Sequence, residues 1–198
     1  MRIRLLAVAA LAVVLTGCGQ AEPAAPPPPV APAPEAPAAP PSASAGGDVE
    51  LGSSPTLIAI KQRKRLLVGV RADQPKFVTR DPAGEYRGFD VDIARDIARR
   101  IGLDPNTQVQ FRRLPPTLLR DAVAAGNVDV LLGGTADVPQ LAEIPYAVTD
   151  TERNLVVKAD DPELAEELRG MLRAAIADGT WQRAHDQNLA PQGISARP

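Results

Sequence analysis

Hydrophobic residues follow two patterns along residues 55–190, and each pattern predicts a different kind of element. Short apolar runs, typical of buried strands, occupy residues 66–70, 128–132 and 155–157, and Val109 and Phe111 alternate with polar residues in a further strand. Apolar residues spaced by three and four predict helices over residues 90–101, 116–125, 162–178 and 180–189. Strands that alternate with helices imply right-handed crossovers. We therefore predict an α/β fold with a mainly parallel sheet flanked by helices.

The ends of these helices carry local signals. Asp90 is predicted to cap the first helix, and Gly102 to end it. Asp161 and Pro162 begin the longest helix, because aspartate is a favoured cap and proline is tolerated in the first turn. Trp181 is the expected apolar anchor of the last helix.

The start of the chain has the pattern of a secretion signal. Arg2 and Arg4 precede an apolar run over residues 5–15, which is too short to cross a bilayer as a helix. The run ends in Leu-Thr-Gly-Cys, which resembles the lipobox of bacterial lipoproteins. The resemblance implies a signal peptide over residues 1–17 and an acylated Cys18 that anchors the protein to the outer face of the cell membrane. The alternative is an ordinary cleaved signal with an incidental cysteine.

Residues 18–54 are predicted to be a disordered linker rich in proline and alanine. Ten of the 21 prolines fall between Pro23 and Pro41, where they remove backbone donors and favour extended polyproline II chain. At about 3.1 Å per residue, this tether reaches on the order of 100 Å. A linker of no particular required length is the alternative. A domain over residues 55–190 and a tail over residues 191–198 complete the prediction.

Composition excludes several classes of function. One cysteine and one histidine cannot supply a disulfide or a four-ligand zinc site, and no metal or cofactor is predicted. A formal charge of −2 and six aromatic residues argue against nucleic-acid partners. His185 is expected to be a surface or packing residue beside Asp186. We therefore predict that the protein is not an enzyme.

Two loops follow neighbouring strands of the predicted sheet. Asp73 and Phe77 lie in the loop after the first strand, and Gly133, Gly134 and Thr135 follow the third. Ligands of such sheets bind beyond the carboxyl ends of the strands. Asp73 offers a carboxylate to an amine, and Phe77 offers a ring to an apolar stem or a cation. The same residues could instead be a turn residue, a core residue and a bend.

Four segments resemble family 3 extracytoplasmic solute-binding proteins, the receptors of polar amino acid ABC transporters. They are residues 66–75 (LLVGVRADQP), 86–94 (YRGFDVDIA), 128–135 (VDVLLGGT) and 178–181 (DGTW), in the order of the family. The resemblance implies a periplasmic-binding-protein-like fold whose solute contacts include the loop residues above.

The chain departs from this family in two places. Only fourteen residues separate Tyr146 from Asp161, where the family places its second lobe, so we expect lobe 1 alone. Gln140 stands five positions after Thr135, where the family has an arginine for the α-carboxylate of the solute. Glutamine keeps a donor but loses the charge and the paired donors. Arg153 would have to reach into the site to restore that charge, and no feature of the sequence indicates that it does.

Two functions therefore remain open. In the first, a lipid-anchored receptor binds a small polar solute, such as an amino acid, weakly for an ABC permease. Its ligand-binding residues would be Asp73, Phe77, Gly133, Gly134, Thr135 and Gln140, and a homodimer could rebuild a closed cleft. In the second, the single lobe binds a permease, a sensor or a cell-wall partner through an apolar patch that contains Phe77 and Tyr146. Only the first requires that Asp73 and Thr135 face a shared pocket.

Overall fold

The structure is a computed structural model that describes residues 53–198. The signal peptide, Cys18 and nearly all of the predicted linker lie outside the described residues. Seven strands lie at Leu66–Arg71 (β1), Thr79–Arg80 (β2), Tyr86–Arg87 (β3), Val109–Leu114 (β4), Val130–Gly134 (β5), Leu141–Val148 (β6) and Glu152–Lys158 (β7). Five helices lie at Pro55–Arg63 (α1), Phe89–Ile101 (α2), Leu119–Ala124 (α3), Pro162–Ala177 (α4) and Thr180–Asn188 (α5), with short 3₁₀ turns at Pro116–Leu118 and Ala190–Gln192.

Five strands form the main sheet in the order β4-β1-β5-β7-β6. Strand β1 pairs in parallel with β4 and β5, whereas β7 is antiparallel to both β5 and β6. Four of the five strands therefore run in one direction, which confirms the predicted mainly parallel sheet. The carboxyl ends of β1 and β5 meet at one edge of this sheet, which we call the carboxyl edge.

Four elements of the domain were not predicted, namely β2, β3, β6 and α1, and the last two have a local reason. Strand β6 contains Pro145 and a register shift beside it, which break the apolar alternation expected of a strand. Proline is tolerated there because β6 is an edge strand. Helix α1 begins at Pro55, the first residue of the predicted domain, and Ser54, the last residue of the predicted linker, caps it.

The prediction that Asp90 caps α2 is wrong. Gly88 is the cap, with a φ of 127°, and a side chain there would collide with the backbone carbonyl of Phe77. The helix therefore starts at Phe89, and Asp90 lies one residue inside it with its carboxylate fully buried. The other end follows the prediction, since Gly102 ends the helix in a left-handed conformation.

Trp181 anchors α5 in the core as predicted. Its indole N–H donates to the carbonyl of Tyr146 at 2.7 Å, and its ring meets Phe89 edge-to-face at 5.6 Å. The His185 ring stacks on the same indole at 5.8 Å, while its Nδ1 lies 2.9 Å from Asp186. His185 is thus a packing residue.

The last residues of the chain pack against the domain, although a tail was predicted from residue 191. Val148 and Arg197 exchange two backbone hydrogen bonds of 2.7 and 3.0 Å, which extend the sheet beyond β6. The side-chain amide of Gln192 donates to the carbonyl of Lys76 at 3.0 Å. This second contact holds the C-terminal segment against the loop that follows β1.

One carboxylate joins the starts of two helices. Asp161 caps α4 by accepting from the backbone N–H of Leu164 at 2.9 Å. Its other oxygen accepts from the Ser54 hydroxyl at 2.7 Å and from the Thr56 N–H at 3.0 Å, at the start of α1. Burial tends to raise the pKa of Asp161, but these hydrogen bonds outweigh burial and hold the pKa below its usual value.

Replacing Asp161 with alanine is therefore expected to lower the free energy of unfolding by about 2–3 kcal/mol at pH 7, through a lost cap and a stranded Ser54 hydroxyl. Because the folded-state pKa is lowered, this stabilisation is present above the usual aspartate pKa of about 3.9 and is lost as the pH falls through the folded value. Urea denaturation between pH 7 and pH 2.5 measures both effects.

The exposed neighbour Asp160 provides the matched control for this substitution. Asp160→Ala is expected to change the free energy of unfolding by no more than about 0.5 kcal/mol at pH 7. Equal losses in the two variants, or a difference between wild type and Asp161→Ala that stays constant down to pH 2.5, would contradict the double-cap role.

Candidate functional site

Arg71 connects the two loops that leave the carboxyl edge. Its Nε and Nη2 donate to the two oxygens of Asp73 at 3.0 and 2.8 Å, and its Nη1 donates to the carbonyl of Gly133 at 3.3 Å. Asp73 is exposed, and the hydrogen bond from Arg71 lowers the pKa of its carboxyl. Asp73 and Gly133, predicted from separate segments, therefore lie at the same edge.

The two glycines that end β5 are required by close packing. Gly133 has a φ of +68°, and a Cβ there would lie 2.5 Å from Nη2 of Arg153. At Gly134 a Cβ would meet the side chains of Leu131 and Val156 at 2.6 and 2.9 Å. Gly134 therefore serves the core, whereas Gly133 makes room for a guanidinium. Thr135 follows them and is exposed at the edge.

The face of Phe77 is already occupied by a cation from the same chain. The guanidinium carbon of Arg153 lies 3.5 Å from the centre of the Phe77 ring, within cation–π range. Phe77 is half-buried, and the Arg153 side chain is only 4% exposed. Arg153 thus does reach the predicted site, although no feature of the sequence indicates this.

Polar groups complete the surroundings of this guanidinium. Its Nη2 donates to Asp90 at 2.6 Å, its Nη1 to the Gln74 side-chain carbonyl at 2.6 Å, and its Nε to the Tyr146 hydroxyl at 3.2 Å. The Tyr146 hydroxyl in turn donates to the second oxygen of Asp90 at 2.7 Å. We call the groups that surround Arg153 the guanidinium cradle; they are Gln74, Phe77, Asp90, Gly133 and Tyr146.

Burial governs the electrostatics of the cradle. It raises the pKa of Asp90, and the adjacent Arg153 guanidinium opposes that shift. Burial, followed by the charge of Asp90, raises the pKa of Tyr146 well above its usual value, so its hydroxyl stays a donor at neutral pH. Burial alone would lower the pKa of Arg153, but Tyr146 and Asp90 outweigh it and raise that pKa. Arg153 therefore remains charged.

Two residues named by the sequence hypotheses lie elsewhere. Gln140 is exposed and precedes Leu141, which pairs with Lys158 next to the amino end of β5, so the structure does not bring it to Asp73 and Thr135. The short connection from Thr135 turns back along β5 before β6 begins. Tyr146 was assigned to an exposed apolar patch, but it is 3% exposed because its hydroxyl and its ring both have buried partners.

Residues 53–198 contain no group of three or more His, Cys, Asp or Glu side chains that could hold a metal ion. Within the same residues, no helix combines the length and the apolar character that crossing a bilayer requires.

Residues 66–191 match the family described as bacterial extracellular solute-binding proteins, family 3. The chain belongs to this family. The matched residues contain β1, the cradle and the carboxyl edge, so the predicted family and its α/β fold are both confirmed.

Characterised relatives are named for amino acids. The chain is 26% identical over 143 residues to a glutamine-binding protein of Geobacillus stearothermophilus, covering 69% of this chain and 54% of that protein. It is 27% identical over 149 residues to the histidine-binding periplasmic protein of Escherichia coli K12, covering 72% and 55%. The chain thus spans about half the length of these relatives.

Solved structures show what that half is. The arginine-bound form of domain 1 from TmArgBP, the ArgBP of T. maritima, has a TM-score of 0.51 and 31% identity, and the match covers 59% of this chain and 97% of that domain. The solute receptor for L-cysteine of Neisseria gonorrhoeae has a TM-score of 0.62 at 17% identity, over 70% of this chain, which supports the fold alone. The described residues therefore correspond to one domain of this family.

Proposed function

We propose that this protein binds a small polar solute of the amino-acid class at the carboxyl edge and presents it to an ABC-type permease. The observation that carries the proposal is the Arg71 bridge, which links Asp73 to Gly133, two residues before Thr135, at the ends of two parallel strands. Ligands of open α/β sheets bind at this position. The names of the relatives support an amino acid as the solute.

Binding is expected to be weak because one lobe covers one face of the solute. Small-molecule sites usually bury about 70–90% of their ligand, and a single carboxyl edge leaves the outer face to water. The arginine-bound domain 1 of TmArgBP supports capture of an amino acid by a single domain in this family. We expect dissociation constants of about 10 μM to 1 mM.

Isothermal titration of the full chain with a panel of amino acids tests this function. At least one member is expected to bind saturably, and Asp73→Ala should remove that binding because it removes the exposed carboxylate of the edge. Asp81→Ala is the matched control, since Asp81 is paired with Arg87 on the β2–β3 hairpin. Absence of heat from folded protein, or equal binding by Asp73→Ala, would contradict the proposal.

A face-to-face homodimer would cover the outer face of the solute with a second copy of the chain. Light scattering of the protein in the presence of its solute measures whether this dimer forms. A dimer should bind the solute with a dissociation constant below the range given above. In the alternative, the protein is an interaction module that binds no solute. Because Tyr146 is buried, it cannot belong to the exposed apolar patch that this alternative requires. No heat with any amino acid would favour that alternative.

We further propose that Cys18 is acylated and that residues 19–52 tether the domain to the cell membrane. Acyl chains contribute about 0.8 kcal/mol for each buried CH₂ group, so more than one chain holds a protein on a membrane surface. The full chain should incorporate a labelled fatty acid and sediment with membranes, whereas Cys18→Ala should do neither. An unlabelled wild-type chain would favour the ordinary cleaved signal.

A further inference from the structure

The guanidinium cradle is built like a binding site for a cationic group. It offers an aromatic face at 3.5 Å, a buried carboxylate at 2.6 Å and an amide oxygen at 2.6 Å. A phenol oxygen lies against the remaining nitrogen at 3.2 Å. An aromatic face together with hydrogen-bond acceptors is what a guanidinium prefers. The group that fills it is supplied by β7 of the same chain.

The cradle shares its loops with the proposed solute site. Gln74 and Phe77 are half-buried members of the loop that carries Asp73, and Gly133 lies two residues before the exposed Thr135. The carbonyl of Gly133 also accepts a hydrogen bond from Arg71, which forms an ion pair with Asp73. A solute held by Asp73 and Thr135 would therefore direct its side chain toward the groups that now hold Arg153.

We infer that Arg153 permanently occupies the subsite that the side chain of a cationic amino acid would need, so that the protein excludes such solutes and accepts neutral or acidic ones. This inference rests on the proposed function, because it assigns the solute class of the same site. An entering cation would have to displace a guanidinium that is already fully paired. Displacement would also leave Arg153 without the carboxylate of Asp90.

The test compares L-arginine with L-glutamine and L-glutamate by isothermal titration of wild type and Arg153→Ala. Wild type is expected to bind L-glutamine or L-glutamate at least about tenfold more tightly than L-arginine. Arg153→Ala should bind L-arginine at least about tenfold more tightly than wild type does, because the emptied cradle keeps the aromatic face and the acceptors that now hold the Arg153 guanidinium. Adding Asp90→Asn to Arg153→Ala should abolish that gain. Equal affinity of wild type for L-arginine and L-glutamine would overturn the inference.

A purely structural ion pair would give a different result. Guanidinium ion at millimolar concentration should raise the midpoint temperature of thermal unfolding of Arg153→Ala, whether or not the cradle is a solute subsite. A solute subsite predicts two further results. L-arginine should bind Arg153→Ala more tightly than guanidinium ion does. Adding Asp73→Ala to that variant should weaken the binding of L-arginine but not that of guanidinium ion. If L-arginine binds no better than guanidinium ion, the cradle is structural and the inference is wrong.

A measurement on wild type decides the question even where Arg153→Ala does not fold. Nitrogen-15 NMR should show a slowly exchanging Nε–H of Arg153 that persists in excess L-arginine. Loss of that signal would mean that the solute displaces Arg153. The two proposals also fail separately: a wild type that binds no amino acid refutes the proposed function, whereas a wild type that binds L-arginine and L-glutamine alike refutes only the exclusion.

Discussion

Replacing Asp90 with alanine is expected to lower the free energy of unfolding by about 3–5 kcal/mol, because it leaves a buried guanidinium without its carboxylate. Asp90 is 0% exposed and Arg153 is 3% exposed, and their atoms lie 2.6 Å apart, so the guanidinium stays buried after its charged partner is removed. The Tyr146 hydroxyl loses its acceptor in the same change. Urea denaturation is the suitable measurement, since the salt of guanidinium chloride would screen the charge left unpaired on Arg153.

The matched control removes both charges together. A double variant with Asp90→Asn and Arg153→Met keeps an acceptor for Tyr146 and an apolar side chain of similar length against Phe77. It is expected to recover most of the lost stability, because a buried ion pair and its uncharged replacement are often close in free energy. If the double variant is as unstable as Asp90→Ala, the loss comes from packing and not from an unpaired charge.

Replacing Trp181 with alanine is expected to lower the free energy of unfolding by about 3–5 kcal/mol, as usual for a fully buried aromatic side chain. The indole is 2% exposed and packs between Phe89 and His185, so its removal leaves a cavity between α2 and α5. Urea denaturation followed by circular dichroism measures the loss without relying on the fluorescence of Trp181, the one tryptophan of the chain.

Two further variants separate the contributions of Trp181. Trp181→Phe keeps a ring but loses the N–H that donates to the Tyr146 carbonyl, which should cost about 1–3 kcal/mol. Gln182→Ala changes an exposed neighbour on the same helix and should alter stability by no more than about 0.5 kcal/mol. A loss for Trp181→Ala no larger than for Gln182→Ala would contradict the anchoring role.

The fold could be predicted because most of its elements carry a local pattern. Apolar runs marked β1, β5 and β7, and spacings of three and four marked α2 and α4. Pro145 hid β6, since a proline interrupts the pattern of a strand and is tolerated at a sheet edge. Asp90 was misplaced because the rule for helix caps considers only neighbouring residues, whereas its partner Arg153 lies 63 positions away.

The candidate site could be predicted only as far as topology determines it. Asp73 and Gly133 come together because two parallel neighbouring strands end at the same edge, which the alternation of strands and helices implies. The occupation of Phe77 by Arg153 has no local signal, because it depends on the turn between β6 and β7 bringing a distant side chain over the ring. Gln140 was predicted to lie in the site and lies elsewhere, because its spacing from Thr135 does not determine how the intervening chain turns.

Nitrogen-15 NMR of the full chain, titrated with the amino acid that binds it most tightly, tests the central claim most directly. We predict that the largest shifts fall on the backbone amides of residues 71–77 and 133–135, which form the carboxyl edge. Saturating shifts centred elsewhere, such as the cleft that Lys61 and Met171 line between α1 and α4, would contradict the account. A folded chain whose spectrum no amino acid changes would contradict it equally.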